Sequence, residues 1–390
     1  MKPFHGVDYF GFDPLLSEEE RMVRDTVRRF VDEQVKPVIE AHHREGRFPA
    51  ALIRPLAELG LLGASLSGYG LPGLGNAAYG LIMQELERGD SGIRSFASVQ
   101  GALVMYPIHA FGSEAQKTRW LPRLGAGEAI GCFGLTEPDF GSNPGGMTTR
   151  AEPTADGYVL NGSKMWITNG DLADVAVVFA KLGGEVNGFL VERGTPGFAT
   201  QEIKGKFSLR ASDTATLFFE DCRIPAANRL PGAQGLRTAL MCLTQARYGI
   251  AWGVIGAAME CYHTALEYAK ERIQFGGRPI AAHQLVQEKL AWMITEITKA
   301  QFLTLHAARL KDAQQLKFHH VSMIKRNNVD MALQCARLAR DILGAAGIVD
   351  DHPVIRHMLN LESVRTYEGT HDIHTLIIGQ HVTGEAAYGG

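Results

Sequence analysis

The sequence predicts a multidomain α+β chain, mainly helical, in which an all-α unit, an all-β unit and a second all-α unit follow one another. Three observations predict it. Apolar residues recur at helical period from Ser17 to about residue 129. Short β-branched and aromatic runs between turn residues replace that pattern from 130 to 235. Long seams spaced by threes and fours then return after Pro231. At 390 residues the chain exceeds one ordinary core, so packed units are expected over 1–129, 130–235 and 236–390.

In the first unit, Ser17-Glu-Glu-Glu20 has the spacing of a capping box and leads into Met22, Val23, Val27, Phe30 and Val31, so a helix starts there. Similar periods predict helices over 56–62, 79–86 and 115–121. In the second unit, 157–160 and 163–168 read as two strands joined at Asn161-Gly162, a dipeptide that favours a type I′ hairpin. Runs at 175–179, 188–191 and 215–219 extend the series toward a small β-barrel or sandwich. In the third unit, Leu236, Leu240, Leu243, Arg247, Ile250, Val254, Ala257 and Cys261 form one seam. Val321, Ile324, Asn328, Met331, Cys335, Leu338 and Ile342 form another, and together they imply a helical bundle.

Lysine plus arginine number 39 against 42 aspartate plus glutamate, without the basic excess of nucleic-acid binding, so no nucleic acid is expected as a partner. The five cysteines (Cys132, Cys222, Cys242, Cys261, Cys335) are scattered and never form a C-x-x-C pair, which reads as reduced thiols in an intracellular compartment. The opening residues 1–9 have the character of neither a secretory signal nor a transit peptide. The expectation is a cytoplasmic protein if bacterial, or the mature form of a mitochondrial matrix protein. The apolar run 240–259 contains Gln245 and Arg247, which a membrane span would expel, so a buried helix is expected and no membrane.

The segment Tyr367-Glu368-Gly369-Thr370-His371-Asp372 carries the strongest chemical signal. Glu368 and a glycine stand just before a new helical pattern that Thr370 or Asp372 can cap, and a helix start can hold an anion. A carboxylate at such a junction can serve as a general base, although taken alone a surface turn acid is the stronger reading. The loop 134–143 is rich in glycine, hydroxyls and backbone donors, which suits the polar edge of a cofactor and equally suits any loop. Trp166 beside Thr168 can stack on a flat ring or fill a core. Arg272, Phe275 and Arg278 close a long helix with groups that suit a phosphate or answer the helix dipole. Arg247 on an apolar seam and Arg94 among Ile93, Phe96 and Val99 each need an anionic partner, structural or bound. His42-His43 and His319-His320 are adjacent pairs that read as solvated, and no metal-ligand spacing appears. No G-x-G-x-x-G follows a predicted strand and no G-x-S-x-G appears, which disfavours a nicotinamide Rossmann enzyme and an α/β-hydrolase.

Five segments together resemble the acyl-CoA dehydrogenase family, most closely its glutaryl-CoA branch, over residues 15–385. They are Cys132-Phe-Gly-Leu-Thr-Glu-Pro138, Lys206-Phe-Ser-Leu-Arg-Ala-Ser212, Ala246-Arg-Tyr-Gly-Ile-Ala-Trp-Gly253, Lys325-Arg-Asn-Asn328 and 360–378. The resemblance implies an N-terminal helical domain, a middle β-barrel or sandwich and a C-terminal four-helix bundle, assembled as a homotetramer with one FAD per subunit. It implies that Phe133, Leu135, Thr136, Gly141, Ser142, Trp166, Ile167 and Thr168 lie along the flavin. Arg272, Phe275, Gln284, Leu343, Gly344 and Gly347 would reach the FAD of a neighbouring subunit, and Thr370 and Asp372 would complete the site.

The same resemblance makes Glu368 the base that removes the substrate's α-proton while the β-hydride passes to the flavin. Arg94, with Ser95 beside it, would face the far carboxylate of the acyl chain. Ser142, Leu243, Ala246, Arg247, Tyr248, Gly249 and Ile250 would contact the thioester and pantetheine, with Tyr367 and Gly369 near the acyl group. The implied substrate is glutaryl-CoA, decarboxylated after oxidation to crotonyl-CoA, with electrons passed to an electron-transferring flavoprotein. The alternative is another short-chain or dicarboxylic acyl-CoA without decarboxylation. Asn143, Ala345, Ala346 and an extra residue near Gly277 depart from the branch's usual pattern.

Overall fold

The computed structural model describes residues 3–387, so Met1 and Lys2 of the opening stretch lie outside the described residues. The capping box forms: Glu20 N donates to Ser17 Oγ (3.2 Å) and Ser17 N to Glu20 Oε2 (2.8 Å), starting α1 (Glu18–Phe30). A π-type turn carries α1 into α2 (Lys36–Glu45). The helix expected at 56–62 is instead α3 (Ile53–Glu58), which stops early because Gly60 turns left-handed at φ +68°. After a small hairpin, β1 (Ser67–Gly68) and β2 (Leu71–Pro72), come α4 (Asn76–Gly89), α5 (Ser91–Ser98), α6 (Tyr106–Phe111) and α7 (Glu114–Gly125).

The middle of the chain is one eight-stranded sheet. Its strands are β3 (Gly131–Gly134), β4 (Arg150–Pro153), β5 (Gly157–Thr168), β6 (Val175–Leu182), β7 (Glu185–Glu192), β8 (Phe198–Glu202), β9 (Thr214–Pro225) and β10 (Arg229–Gln234). They lie in the order β10-β7-β6-β4-β5-β9-β8, with β3 parallel beside β6. The hairpin expected at Asn161-Gly162 is not there. Both halves of β5 pair with β9, Leu160 opposite Cys222 and Gly162 opposite Phe219, so the dipeptide is a bulge in one continuous strand. The Asn161 side chain bonds Asp221 across the bulge, and Gly162 (φ +142°) leaves no room for a Cβ, which would sit 2.7 Å from Thr149 Cα.

The last unit comprises α8 (Leu236–Glu271), a small hairpin of β11 (Ile273–Gln274) and β12 (Arg278–Pro279), α9 (Gln284–Asp312), α10 (Phe318–Leu343), α11 (Val354–Thr366) and α12 (His371–Thr383). α8 is the spine, buried without a break from Ala246 to Cys261 between α4 and α10. Its glycines permit that burial, since a Cβ on Gly256 would lie 1.8 Å from Gln84 O and one on Gly80 2.3 Å from Trp252. The apolar run at 240–259 therefore faces protein, and among the described residues no helix is long and apolar enough to cross a membrane. The histidine pairs are less solvated than expected. Burial pushes His43 down to about 4, and His319 stacks on His381 with ring centroids 3.5 Å apart. All five cysteines are buried and free.

Candidate active site

Two consecutive left-handed residues reverse the chain between α11 and α12: Glu368 at φ +51° and Gly369 at φ +92°. Thr370 then caps α12, its Oγ1 accepting from Ile373 N at 3.2 Å, while Asp372 stands exposed in the first turn. A side chain at 369 would be strained and would meet His374 Nε2 at 2.9 Å and Arg247 Nη2 at 3.1 Å, so glycine is required there. Arg247 Nε donates to Glu368 O (2.7 Å), and Lys325 Nζ donates to Tyr367 O (3.0 Å) and Gly369 O (2.8 Å). Glu368 Oε2 lies out of solvent with no hydrogen-bond partner. Burial pushes this carboxyl above its ordinary value, against the opposing pull of Arg94, Lys325 and Arg247.

Arg94 lies on α5 and is wholly buried. Its Nε donates to Glu87 Oε2 at 2.7 Å and its Nη2 to the Tyr367 hydroxyl, while Nη1 is buried with no partner. The helix that carries it is pinned from below. Asp90 caps α5 by accepting from Gly92 N (2.7 Å), and Arg356 Nη1 (2.6 Å) and Asn360 Nδ2 (2.9 Å) donate to the same aspartate. Arg356 and Asn360 are on α11, the helix whose end delivers Tyr367 and Glu368. One element therefore sets both the guanidinium and the Glu368 carboxyl.

Ser95 is buried beside Arg94, and on α8 Ala246, Arg247, Tyr248, Gly249 and Ile250 are buried with Leu243 partly so. Tyr79 lies against Gly249, where a Cβ would be 3.0 Å from its hydroxyl. That hydroxyl and Ser98 Oγ are two more buried polar atoms, within reach of each other and with no other partner. Charges on Arg94 and Glu368 both act on Tyr79, whose pKa burial pushes up to about 12. An unpartnered guanidinium nitrogen and a lone carboxylate oxygen, both buried and each acting electrostatically on the other's group, suit a ligand that satisfies both.

The region expected along a flavin sits on the sheet. Phe133, Leu135 and Ile167 turn their side chains into the core, so only their main chains can face a ligand. Trp166 is the opposite. It occupies an irregularity of β5 at φ +63° and holds its indole 57% exposed, a large aromatic face presented from strained backbone. Met165 N donates to Thr136 O (2.9 Å), tying the loop to β5, with Thr136 and Thr168 partly buried and Gly141 and Ser142 exposed. Glu137 braces the loop by accepting from Thr148 N (2.6 Å), Thr149 N (2.9 Å) and Lys164 Nζ (2.9 Å). Burial pushes the Glu137 carboxyl up, and these three donors outweigh it to hold the group down at about 2.

Arg272, Phe275 and Gln284 are not gathered with these groups. They stand exposed where α8 gives way to α9, Phe275 84% exposed at φ +39°. Gly344 is exposed at φ +59°, whereas Leu343 and Gly347 are buried, with Gly347 packed against Arg340 O. Asn143, Ala345 and the stretch near Gly277 are likewise exposed. Among the described residues no group of histidine, cysteine, aspartate and glutamate is arranged to hold a metal.

Sequence reasoning missed Glu87, Tyr79, Ser98, Glu137 and the two-carbonyl role of Lys325. Glu87 sits seven residues before Arg94 across the break between α4 and α5, so no single helical period links them. Lys325 did carry a signal, as a cation between the seam positions Val321, Ile324 and Asn328.

Comparison with known proteins places the chain in a family. Family models described as the acyl-CoA dehydrogenase N-terminal, middle and C-terminal domains match residues 17–128, 132–222 and 233–383. The mitochondrial short-chain specific acyl-CoA dehydrogenase of Homo sapiens is 36% identical over 375 residues, covering 94% of this chain and 90% of that protein. A crystal structure of glutaryl-CoA dehydrogenase from Mycobacterium smegmatis superposes with a TM-score of 0.96 at 54% identity, over 97% of this chain and 98% of that one. A second, of a glutaryl-CoA dehydrogenase from the same organism in complex with FADH2, gives 0.97 at 48% identity, over 98% and 99%.

Proposed function

The chain belongs to the acyl-CoA dehydrogenase family, and from that premise we propose that it oxidises glutaryl-CoA with FAD and releases carbon dioxide to give crotonyl-CoA. The observation that carries the substrate is the buried, unpartnered Arg94 Nη1, whose charge acts on the group that bears the lone Glu368 Oε2. A substrate with an acidic α-carbon at one end and a carboxylate at the other satisfies both. A neutral acyl chain leaves the guanidinium nitrogen unsatisfied, a penalty of about 1–3 kcal/mol. The similarity to a short-chain enzyme favours a monocarboxylic substrate as the second reading. The higher identity to the two Mycobacterium smegmatis glutaryl-CoA dehydrogenases and the open valence of Arg94 weigh against it.

The residues fit FAD: Trp166 offers a bare aromatic face, and Thr136, Ser142, Thr168 and the α12 start at Thr370 offer polar contacts. When bound, FAD supplies the acceptor for the substrate's β-hydride. Glu368 takes the α-proton, helped by burial that favours its protonated form. After oxidation, loss of carbon dioxide leaves a dienolate that needs a proton, and the protonated Glu368 is the acid at hand. Arg94 meanwhile orients the chain so that the reacting carbon faces the base. Electrons leave to an electron-transferring flavoprotein. Exposed Phe275 and Leu285 suit contact with neighbouring subunits of a homotetramer, and the free thiols fit a reducing, cytoplasmic setting.

The test is purified FAD-loaded protein with an artificial acceptor. Glutaryl-CoA is expected to react at least tenfold faster than butyryl-CoA, with crotonyl-CoA as product. Equal rates would sink the dicarboxylate reading, and accumulation of glutaconyl-CoA would remove decarboxylation while leaving oxidation.

A further inference from the structure

Three consecutive carbonyls around the base are taken by cationic side chains from two bundle helices. Arg247 on α8 holds Glu368 O, and Lys325 on α10 holds the flanking pair, Tyr367 O and Gly369 O, at 3.0 and 2.8 Å. Lys325 is 1% exposed and, among the described residues, pairs with no carboxylate. An ammonium buried in that way is expensive unless something compensates it. What compensates it is the carbonyl end of α11, where Tyr367 is the C-cap and the helix dipole is negative, together with the charge of Glu368 when ionised.

We infer that Lys325 is a positioning residue for the reaction: by holding the carbonyls on both sides of Glu368, it keeps the base in the left-handed turn that aims its carboxylate at the substrate. The need for such a clamp is visible in the backbone. Glu368 is a non-glycine residue at φ +51°, a conformation that persists only where the surroundings over-determine it. A residue present for packing alone would do as well with an apolar side chain. The donor geometry and the missing salt bridge mark the ammonium as the functional part.

The charge has a second effect. Glu368 is pushed up by burial and pulled back by Arg94, Lys325 and Arg247, so a charged Lys325 makes the base easier to ionise. Lys325 is itself lowered to about 7 by burial, raised by Glu368 and lowered further by Arg247, Arg94 and Arg365. His374 faces the same turn from α12 but is lowered to about 2 by burial and stays neutral. Removing the lysine charge therefore moves the acidic limb of the rate profile toward higher pH.

This inference rests on Glu368 being the base, and the experiment separates the two. FAD-loaded wild type, Lys325→Met and Lys325→Gln are compared by steady-state kinetics against pH and by amide hydrogen exchange over 367–373. Lys325→Met is expected to lower kcat by about 10- to 100-fold with KM within about threefold. Its acidic limb moves up, exchange in the turn accelerates, and FAD content and Tm are retained. Lys325→Gln keeps donors without the charge, so it recovers part of kcat while the limb stays shifted. Lys325→Met with wild-type kcat and an unmoved limb overturns the inference, as does parallel loss of kcat, FAD content and Tm in both variants. A wild type that oxidises no acyl-CoA sinks the functional reading instead. In that case the exchange data decide the clamp, and unchanged protection in Lys325→Met overturns it.

Discussion

Arg94 and Arg272 carry the same group and were marked by sequence for the same kind of partner, an anion, yet they stand in opposite surroundings. Arg94 is fully buried, braced by Glu87 and Tyr367, with one nitrogen open. Arg272 is exposed at the end of α8, near a Phe275 that is 84% exposed. The difference separates a closed half, whose polar groups the chain itself brings together, from an open half, the aromatic surface of Phe275 and Trp166 that it presents outward. In the closed half, polar groups are already in place and a ligand need only satisfy them. In the open half, exposed aromatic surface is expected to contribute to affinity more than to chemistry.

The sharpest way to test that division is at the closed half's centre. Glu368→Gln preserves shape and removes the proposed base, so substrate-induced flavin bleaching is expected to slow by about 10³-fold while FAD content is unchanged. Stopped-flow absorbance measures both, and persistent bleaching would move the base elsewhere. Arg94→Met comes next. It is expected to lower kcat/KM for glutaryl-CoA by ~100-fold or more while butyryl-CoA changes far less. It also leaves Glu87 buried without its partner, a loss of about 3–5 kcal/mol in stability that Arg94→Met with Glu87→Gln should partly restore. Equal losses for the two substrates would mean that Arg94 serves structure alone.

Much of this was readable in the sequence, and what was not has a common physical cause. The α, β, α order follows from periodicity, which is local, and Ser17 and Thr370 cap the helices they were expected to cap because capping is local too. The Asn161-Gly162 hairpin failed because β9 pairs across both halves of β5, a partner some sixty residues away that overrides a dipeptide preference. Glu87 and Arg94 are separated by a helix break, and Lys325 reaches carbonyls 42 and 44 residues downstream. Side chains whose role is to hold another residue's backbone leave only a weak mark on their own neighbourhood in the chain.

The open half gives a smaller effect. Trp166→Ala removes a face that is 57% exposed, so Tm of the FAD-free protein is expected to stay within about 2 °C of wild type. FAD affinity should fall about tenfold, the scale of one lost aromatic contact. Fluorescence titration with FAD measures the second quantity. A large stability loss would place Trp166 with the core residues instead and erase the contrast with Phe133 and Ile167.

The smallest expected effect concerns stability against pH, and it returns to Glu368. Its pKa is raised in the folded protein above the ordinary carboxylate value of 4.5, chiefly by burial. Below 4.5 the carboxyl is protonated folded or unfolded and adds nothing. As pH rises from there through the raised folded value, the unfolded chain gives up its proton first, so ionisation favours unfolding and the wild type loses stability. Glu368→Gln has no proton to lose, and the other titrating groups are common to both proteins. The Tm of the variant relative to wild type should therefore be least different below pH 4.5 and become more positive as pH rises from there, levelling off above the raised folded value, measured calorimetrically on FAD-loaded protein. A difference that shrinks with pH would mean that Arg94, Lys325 and Arg247 together outweigh burial. The base would then rest ionised in an already compensated pocket, and the closed half of the site would be stabilised by its charge instead of strained by it.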